Sequence, residues 1–468
     1  MGLFERQDKV DEGVEISVGR PQEPVEEQGV FGATEEGGVN YKTVSWTRAS
    51  VVLMKAQIGL GVLGIPSIFQ VLGLIPGIIL LLVVYAMASF SAWAIPSFVK
   101  RHPEVHSIAD VGFVMGGTIG REAYGLAFMI FMLCVVASGS LGVSIALNAV
   151  SEHAICSVGF VAVAIVVVLL LASIQTLDRV SWLGWVGMVS IMSAILTLTI
   201  AVGVQSRPAA APAAPAPWDK NFQLFGNPTW AEAGSTLGTI VFAYGATPAF
   251  FNVIAEMKRP QDFPKTAMVC QTYATIVYLA IGIPVYWYCG DYVASPALGS
   301  AGPLLKKICY GLSIPALVIT AVIYAHLSAK YMFVRILRGS RHLVSNTPQH
   351  WCAWIGSVVF CCVIGFIIAE GIPVFSGLIS IVGAIFGTVM CIQTQGAMWL
   401  YDHSWGAKNA ERRKNRSWRY VSLTVWCYFL LIGGSIITVL GAYGSITEVI
   451  NTYSGKSLTA FSCADNSA

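Results

Sequence analysis

The chain has 468 residues, of which 55% are hydrophobic and 11% charged, with a formal net charge of +3 and a mean hydropathy of +0.68. A soluble domain carries about 25% charged residues, so this composition excludes a water-soluble globular protein. Apolar stretches of about 20 residues recur, the length a helix needs to cross the hydrocarbon core, while the ~10-residue alternation of an outer-membrane barrel is absent.

Residues 1–47 are polar, acidic and rich in Glu and Gly. Without an apolar leader core they are expected to form a disordered acidic cytoplasmic tail, not a cleaved signal. Hydropathy then predicts an all-α polytopic membrane protein of about 11 transmembrane helices. The spans fall near 48–72, 75–99, 122–150, 157–176, 180–204, 232–256, 266–289, 304–335, 350–370, 373–400 and 418–442.

Lys and Arg fall in alternate connections: Lys100, Arg101 and Arg121; Arg179; Lys258, Arg259 and Lys265; Arg335, Arg338 and Arg341; and the run from Lys408 to Arg419. The other connections offer only Arg207, Lys220, Lys306 and Lys307. The positive-inside rule puts the basic loops and the N-terminus in the cytoplasm, and a tail at 443–468 outside. The basic run at 412–416 is explained by this topology, with attraction to anionic lipid as the alternative.

An Ala/Pro spacer at 208–217 separates 48–204 from 232–400. Five spans per half is the odd number an inverted repeat requires, leaving 418–442 as an extra helix. The first helix of each half is interrupted by Gly and Pro, at Gln57–Pro66 and at Phe242–Pro248. Irregular backbone at membrane depth survives only where it lines a cavity, and a matched pair of breaks points to a substrate site. Freed N–H groups suit a carboxylate and freed carbonyls an ammonium, so two antiparallel breaks suit a zwitterion. In the first span Gly59, Gly61 and Gly64 permit close approach of a ligand; the alternative is close helix packing. In the second, Gly245 and Pro248 make the break, Phe242 and Tyr244 wall a side-chain pocket, and Thr247 offers a hydroxyl. Gly383-xxx-Gly387 and Gly73-xxx-Gly77 are read as packing positions.

Ile58-Gly-Leu-Gly-Val-Leu-Gly-Ile-Pro66, Phe242-Ala-Tyr-Gly245 and Glu256-Met-Lys-Arg-Pro-xx-Phe-Pro-Lys265 resemble the amino acid/auxin permease family, in particular its fungal neutral amino acid permeases, over roughly 42–442. The resemblance implies the leucine-transporter fold, with helices 1 and 6 unwound around the substrate, and proton-driven uptake of neutral amino acids. It places the substrate carboxylate at the backbone of Gly59, Leu60, Gly61 and Val62, with Tyr244 closing over the ligand.

An ionisable group at mid-membrane costs about 2.5–3.5 kcal/mol on the insertion scale, so each needs a reason. Lys55 lies one turn before Gly59. In the implied fold it faces helix 8, where sodium-coupled relatives hold a cation that its ammonium could replace; alternatively it snorkels to the interface. His326 is a candidate proton relay or a satisfied hydrogen-bonding group. Glu256 with Lys258 and Arg259 suggests a gating ion pair or a surface cap. Most of the eleven cysteines read as packing residues, but Cys156, Cys289 and Cys463 fall near outer span ends, where a disulfide among them can form.

No Walker loop, H-E-x-x-H or G-x-S-x-G motif is present, so ATP-driven transport and hydrolase chemistry are not expected. The expected partners are a neutral amino acid, protons and the lipid bilayer, with no nucleic acid, cofactor or metal. The competing functions are transport of another amino-acid-like solute and a receptor that binds without transporting. The plasma membrane is the expected location, with the vacuolar membrane as the alternative.

Overall fold

The computed structural model describes residues 44–174, 177–212, 216–343, 345–405, 417–454 and 459–467. The acidic tail up to residue 43 and the basic cluster at 412–416 lie outside the described residues. Among those described, ten helical segments are long and apolar enough to cross a membrane, and the 16-residue apolar helix Ser157–Ala172 corresponds to the remaining expected span. Beyond helices, the described residues form one isolated bridge, Val44 with Met257.

Helix α1 (Trp46–Leu72) begins where the Ser45 hydroxyl accepts the Arg48 N–H. It ends at Gly73, whose φ of +83° and closeness to the Gly226 backbone exclude a side chain. Helices α2 (Leu74–Ser89) and α3 (Ser91–Arg101) form the second span with a bend at Phe90. Helix α4 (Ile108–Ser151) opens on a Ser107/Asp110 capping box and is kinked at Gly116 and Gly117, the latter at φ +61°. The kink separates a short amphipathic first turn or two from the long spanning part. Helices α5 (Ser157–Ala172) and α6 (Leu177–Val204) complete the first half.

The second half opens with α7 (Trp230–Ala243), a 3-10 turn at Thr247–Ala249 and α8 (Phe250–Glu256). Then come α9 (Phe263–Cys289), α10 (Pro303–Leu337) and α11 (Pro348–Gly371). The tenth span is α12 (Phe375–Val382), two wider π-type turns at Gly383–Gly387 and Val389–Gln393, and α13 (Thr394–His403). Gly383 serves close packing, because a Cβ there would strike the Gly238 carbonyl of α7.

Helix α14 (Trp418–Ser454) runs well past the expected end at 442. It lies along α7 so closely that a Cβ at Gly234 would meet the Leu440 carbonyl, and Glu448 accepts the Ser235 hydroxyl. That contact holds the extended end of α14 against α7. Large apolar side chains such as Ile79, Leu126, Leu170, Val189, Ile200 and Val425 cover the exterior, as a lipid-facing surface requires.

Beyond α14, the C-terminal segment folds back over the ends of α4, α5 and α10. Cys463 is disulfide-bonded to Cys156, Ser157 Oγ donates to the Ala464 carbonyl at 2.6 Å, and Asn148 Nδ2 donates to Asn466 Oδ1 at 2.7 Å. Cys289 is free and buried.

Candidate functional site

The helix that opens the second half stops at Ala243. Tyr244 (φ −101°, ψ 19°) leaves the helical region, Gly245 N–H turns back to the Phe242 carbonyl at 2.9 Å, and Pro248 has no N–H to continue the ladder. The carbonyl of Ala243 is thereby released, and the Tyr278 hydroxyl of α9 takes it up at 2.6 Å. The same hydroxyl lies 3.0 Å from the Gln57 carbonyl of α1. One buried O–H thus joins the broken helix to the first helix.

Further polar groups of α9 extend this junction. The Tyr244 hydroxyl is 2.7 Å from Thr275 Oγ1, and its ring stands edge-on to Tyr278 with centroids 5.6 Å apart. Gln57 Nε2 donates to Gln271 Oε1 at 2.9 Å. Gln271, Thr275 and Tyr278 recur at steps of four and three, so one face of α9 carries all three. Sequence reasoning overlooked them, although polar residues at that spacing in an apolar span were a usable signal.

In the first helix the expected interruption takes no visible form: α1 is continuous from Trp46 to Leu72. Its glycines serve close packing instead. A Cβ on Gly61 would lie 2.8 Å from Ala243 Cα, one on Gly64 2.9 Å from Thr239 Cγ2, and one on Gly59 would strike Thr320 Oγ1. The N–H groups of Gly59, Leu60, Gly61 and Val62 therefore lie within a continuous helix, not freed toward a carboxylate.

All eight expected substrate residues are buried, but they face different neighbours. Gly59 meets α10 and Gly61 meets the break, while Leu60 reaches toward Gly142 of α4. Gly245 approaches Phe131 of α4, and Phe242 packs on Gly383. Thr247 Oγ1 sits beside the Cys391 thiol with its hydrogen-bonding capacity unmet.

Lys55 is fully buried, and Nζ donates to Thr320 Oγ1 of α10 at 2.5 Å. Gly187 of α6 makes room for its stem, since a Cβ there would lie 2.5 Å from Lys55 Cε. The ammonium is enclosed by α1, α6 and α10 and does not snorkel. Among the described residues no carboxylate pairs with it. His326 is also fully buried, but it faces elsewhere: its ring is edge-on to Trp354 of α11 at 5.3 Å, near the Ala172 and Ile174 carbonyls. Neither ring nitrogen reaches hydrogen-bond geometry. His326 is not part of the junction around Lys55.

Toward the basic end of the bundle, Glu256 at the close of α8 forms a buried ion pair with Lys330 of α10. Beside it, Val44 N–H donates to the Glu256 carbonyl at 3.1 Å and Lys258 N–H to the Val44 carbonyl at 2.9 Å. The segment entering α1 is thereby pinned to the end of α8. The pairing with Lys330 was not legible in the sequence, where Glu256 was matched with its neighbours.

A polytopic helical bundle whose interrupted helix meets the first helix at a buried polar junction has the architecture of the leucine-transporter class. Among solved structures, the chain resembles MhsT in complex with L-phenylalanine, with a TM-score of 0.56 and 14% identity, covering 87% of this chain and 100% of that one. Residues 42–444 match the family described as transmembrane amino acid transporter protein, and the chain belongs to that family. A "Transmembrane transporter" of Gibberella moniliformis is 31% identical over 431 residues, covering 92% of this chain and 89% of its own. The "N amino acid transport system protein" of Neurospora crassa is 30% identical over 437 residues, covering 92% of this chain and 90% of its own.

Proposed function

We propose that this amino acid transporter carries neutral amino acids into the cell across the plasma membrane, driven by protons. The observation that carries the reading is the junction itself. The released Ala243 carbonyl of α7, the glycine face of α1 and the Lys55 ammonium converge on one buried region. Carbonyls suit a substrate ammonium, and unwinding of α1 at Gly59–Val62 would free N–H groups for the carboxylate. Neutral cargo fits because the hydrogen-bonded groups of the junction are amides, hydroxyls and one ammonium, with no carboxylate among them. A cationic cargo would need a counter-charge there.

Lys55 supplies the coupling in this reading. A charged ammonium bridges α1 to α10, and its neutral form loosens that bridge. A proton shifts the carrier between states only through such differential affinity. The basic connections lie in the cytoplasm by the positive-inside rule, so the Glu256–Lys330 pair closes the inner side.

The test is uptake of labelled neutral amino acids into proteoliposomes under an imposed pH gradient. Accumulation abolished by a protonophore is expected. Binding without uptake would make the protein a receptor, and accumulation that ignores the proton gradient would remove the coupling.

A further inference from the structure

A second site lies at the basic end, apart from the junction. A cavity of about 230 Å³ is walled by the start of α4, by α8 at Asn252, and by the last turns of α10. Two of its cations are engaged by close ion pairs, Lys330 by Glu256 and Arg335 by Glu122, while Arg338 stands 3.8 Å from Asp110 Oδ1. Arg121 differs from them. Its guanidinium lies over the Phe113 ring at 3.9 Å, Nε is buried without a hydrogen-bond partner, and no carboxylate among the described residues pairs with it.

The opposite charge is also to hand. Asp110 uses Oδ2 in the capping box of α4, while Oδ1 is left with Arg338 at a distance longer than a hydrogen bond. A planar guanidinium fork binds a carboxylate through two parallel bonds, and a carboxylate oxygen accepts an ammonium. Asp110 and Arg121 line the same cavity, so a ligand carrying both charges finds a partner for each there. The cavity is smaller than the ~300–1,000 Å³ of drug-sized pockets, as a single amino acid requires.

We propose that this cavity is a regulatory site for a zwitterionic amino acid arriving from the cytosol. The ligand's carboxylate meets Arg121 and its ammonium Asp110 Oδ1. Bound there, it ties α4, α8 and α10 together beside the Glu256–Lys330 pair. By linkage it favours the state in which that end is closed, so accumulated product slows further uptake. The inference rests on the proposed transport of amino acids and on the cytoplasmic placement of the basic end.

Equilibrium dialysis of the purified full chain against saturating tritiated L-phenylalanine, L-leucine and L-alanine tests it. Two molecules bound per chain are expected, falling to one in Arg121→Ala, with Arg121→Lys intermediate in affinity. One molecule per wild-type chain would overturn this site while leaving transport standing. None would overturn both readings, and two in wild type and Arg121→Ala alike would place the second molecule elsewhere. A companion measurement preloads proteoliposomes with the same amino acid on the cytosolic face. Initial net uptake should fall further in wild type than in Arg121→Ala, which keeps only the back-flux through the transport site; an equal fall in both would also contradict the site.

Discussion

The Tyr278 hydroxyl lies 2.6 Å from the carbonyl of Ala243, the last residue of α7 before the chain leaves the helix. With the Gln57 carbonyl 3.0 Å away, one proton serves two acceptors. The Gln57 carbonyl belongs to a continuous helix, but the Ala243 carbonyl has lost its helical partner. Tyr278→Phe keeps the ring and removes the donor. Leaving a buried acceptor unmet costs about 1–3 kcal/mol. The variant should melt at a lower temperature in detergent and bind substrate with altered affinity; unchanged melting and affinity would mean the bond is incidental.

Gly61 packs directly against Ala243, the last helical residue before the break. A side chain there would collide with Ala243 Cα, so Gly61→Val should impair packing as well as transport. Gly356→Ala in α11 is the control, because nothing lies within 4 Å of the added Cβ. Thermal melting should drop for the first and hold for the second. Equal behaviour would show that the helices separate readily at Gly61.

Removing one partner of a buried ion pair costs about 3–5 kcal/mol, because the other charge is stranded. Glu256→Gln should therefore weaken closure at the basic end. A cysteine introduced at Ala255 should react faster with a thiol reagent in that background, and the exchange Glu256→Lys with Lys330→Glu should slow it again. Reactivity indifferent to all three changes would deny the pair a gating role.

The disulfide of Cys156 with Cys463 is checked by proteolysis without reductant, which should yield one cross-linked peptide containing both. Finding Cys289 in that peptide instead would contradict the path of the C-terminal segment.

The break at Tyr244–Pro248 was legible because Gly245 and Pro248 remove a side chain and a donor within four residues. The glycine run of α1 was read the same way and is helical, because glycine serves both unwinding and close approach. Only the facing atoms of Ala243, Thr239 and Thr320 decide between them. Lys55 could be placed opposite helix 8 through the resemblance, yet its depth needed Gly187 of α6, which no local pattern reveals. Glu256 and Lys330 stand 74 residues apart, and such a pairing is a property of packing alone.

The most direct test compares exchange with accumulation in wild-type and Lys55→Met proteoliposomes under one pH gradient. Exchange needs no net proton movement, whereas accumulation does. Wild type should do both, and Lys55→Met should exchange labelled neutral amino acid without concentrating it; Lys55→Arg, held charged, should behave likewise. Full proton-dependent accumulation by Lys55→Met would contradict the account.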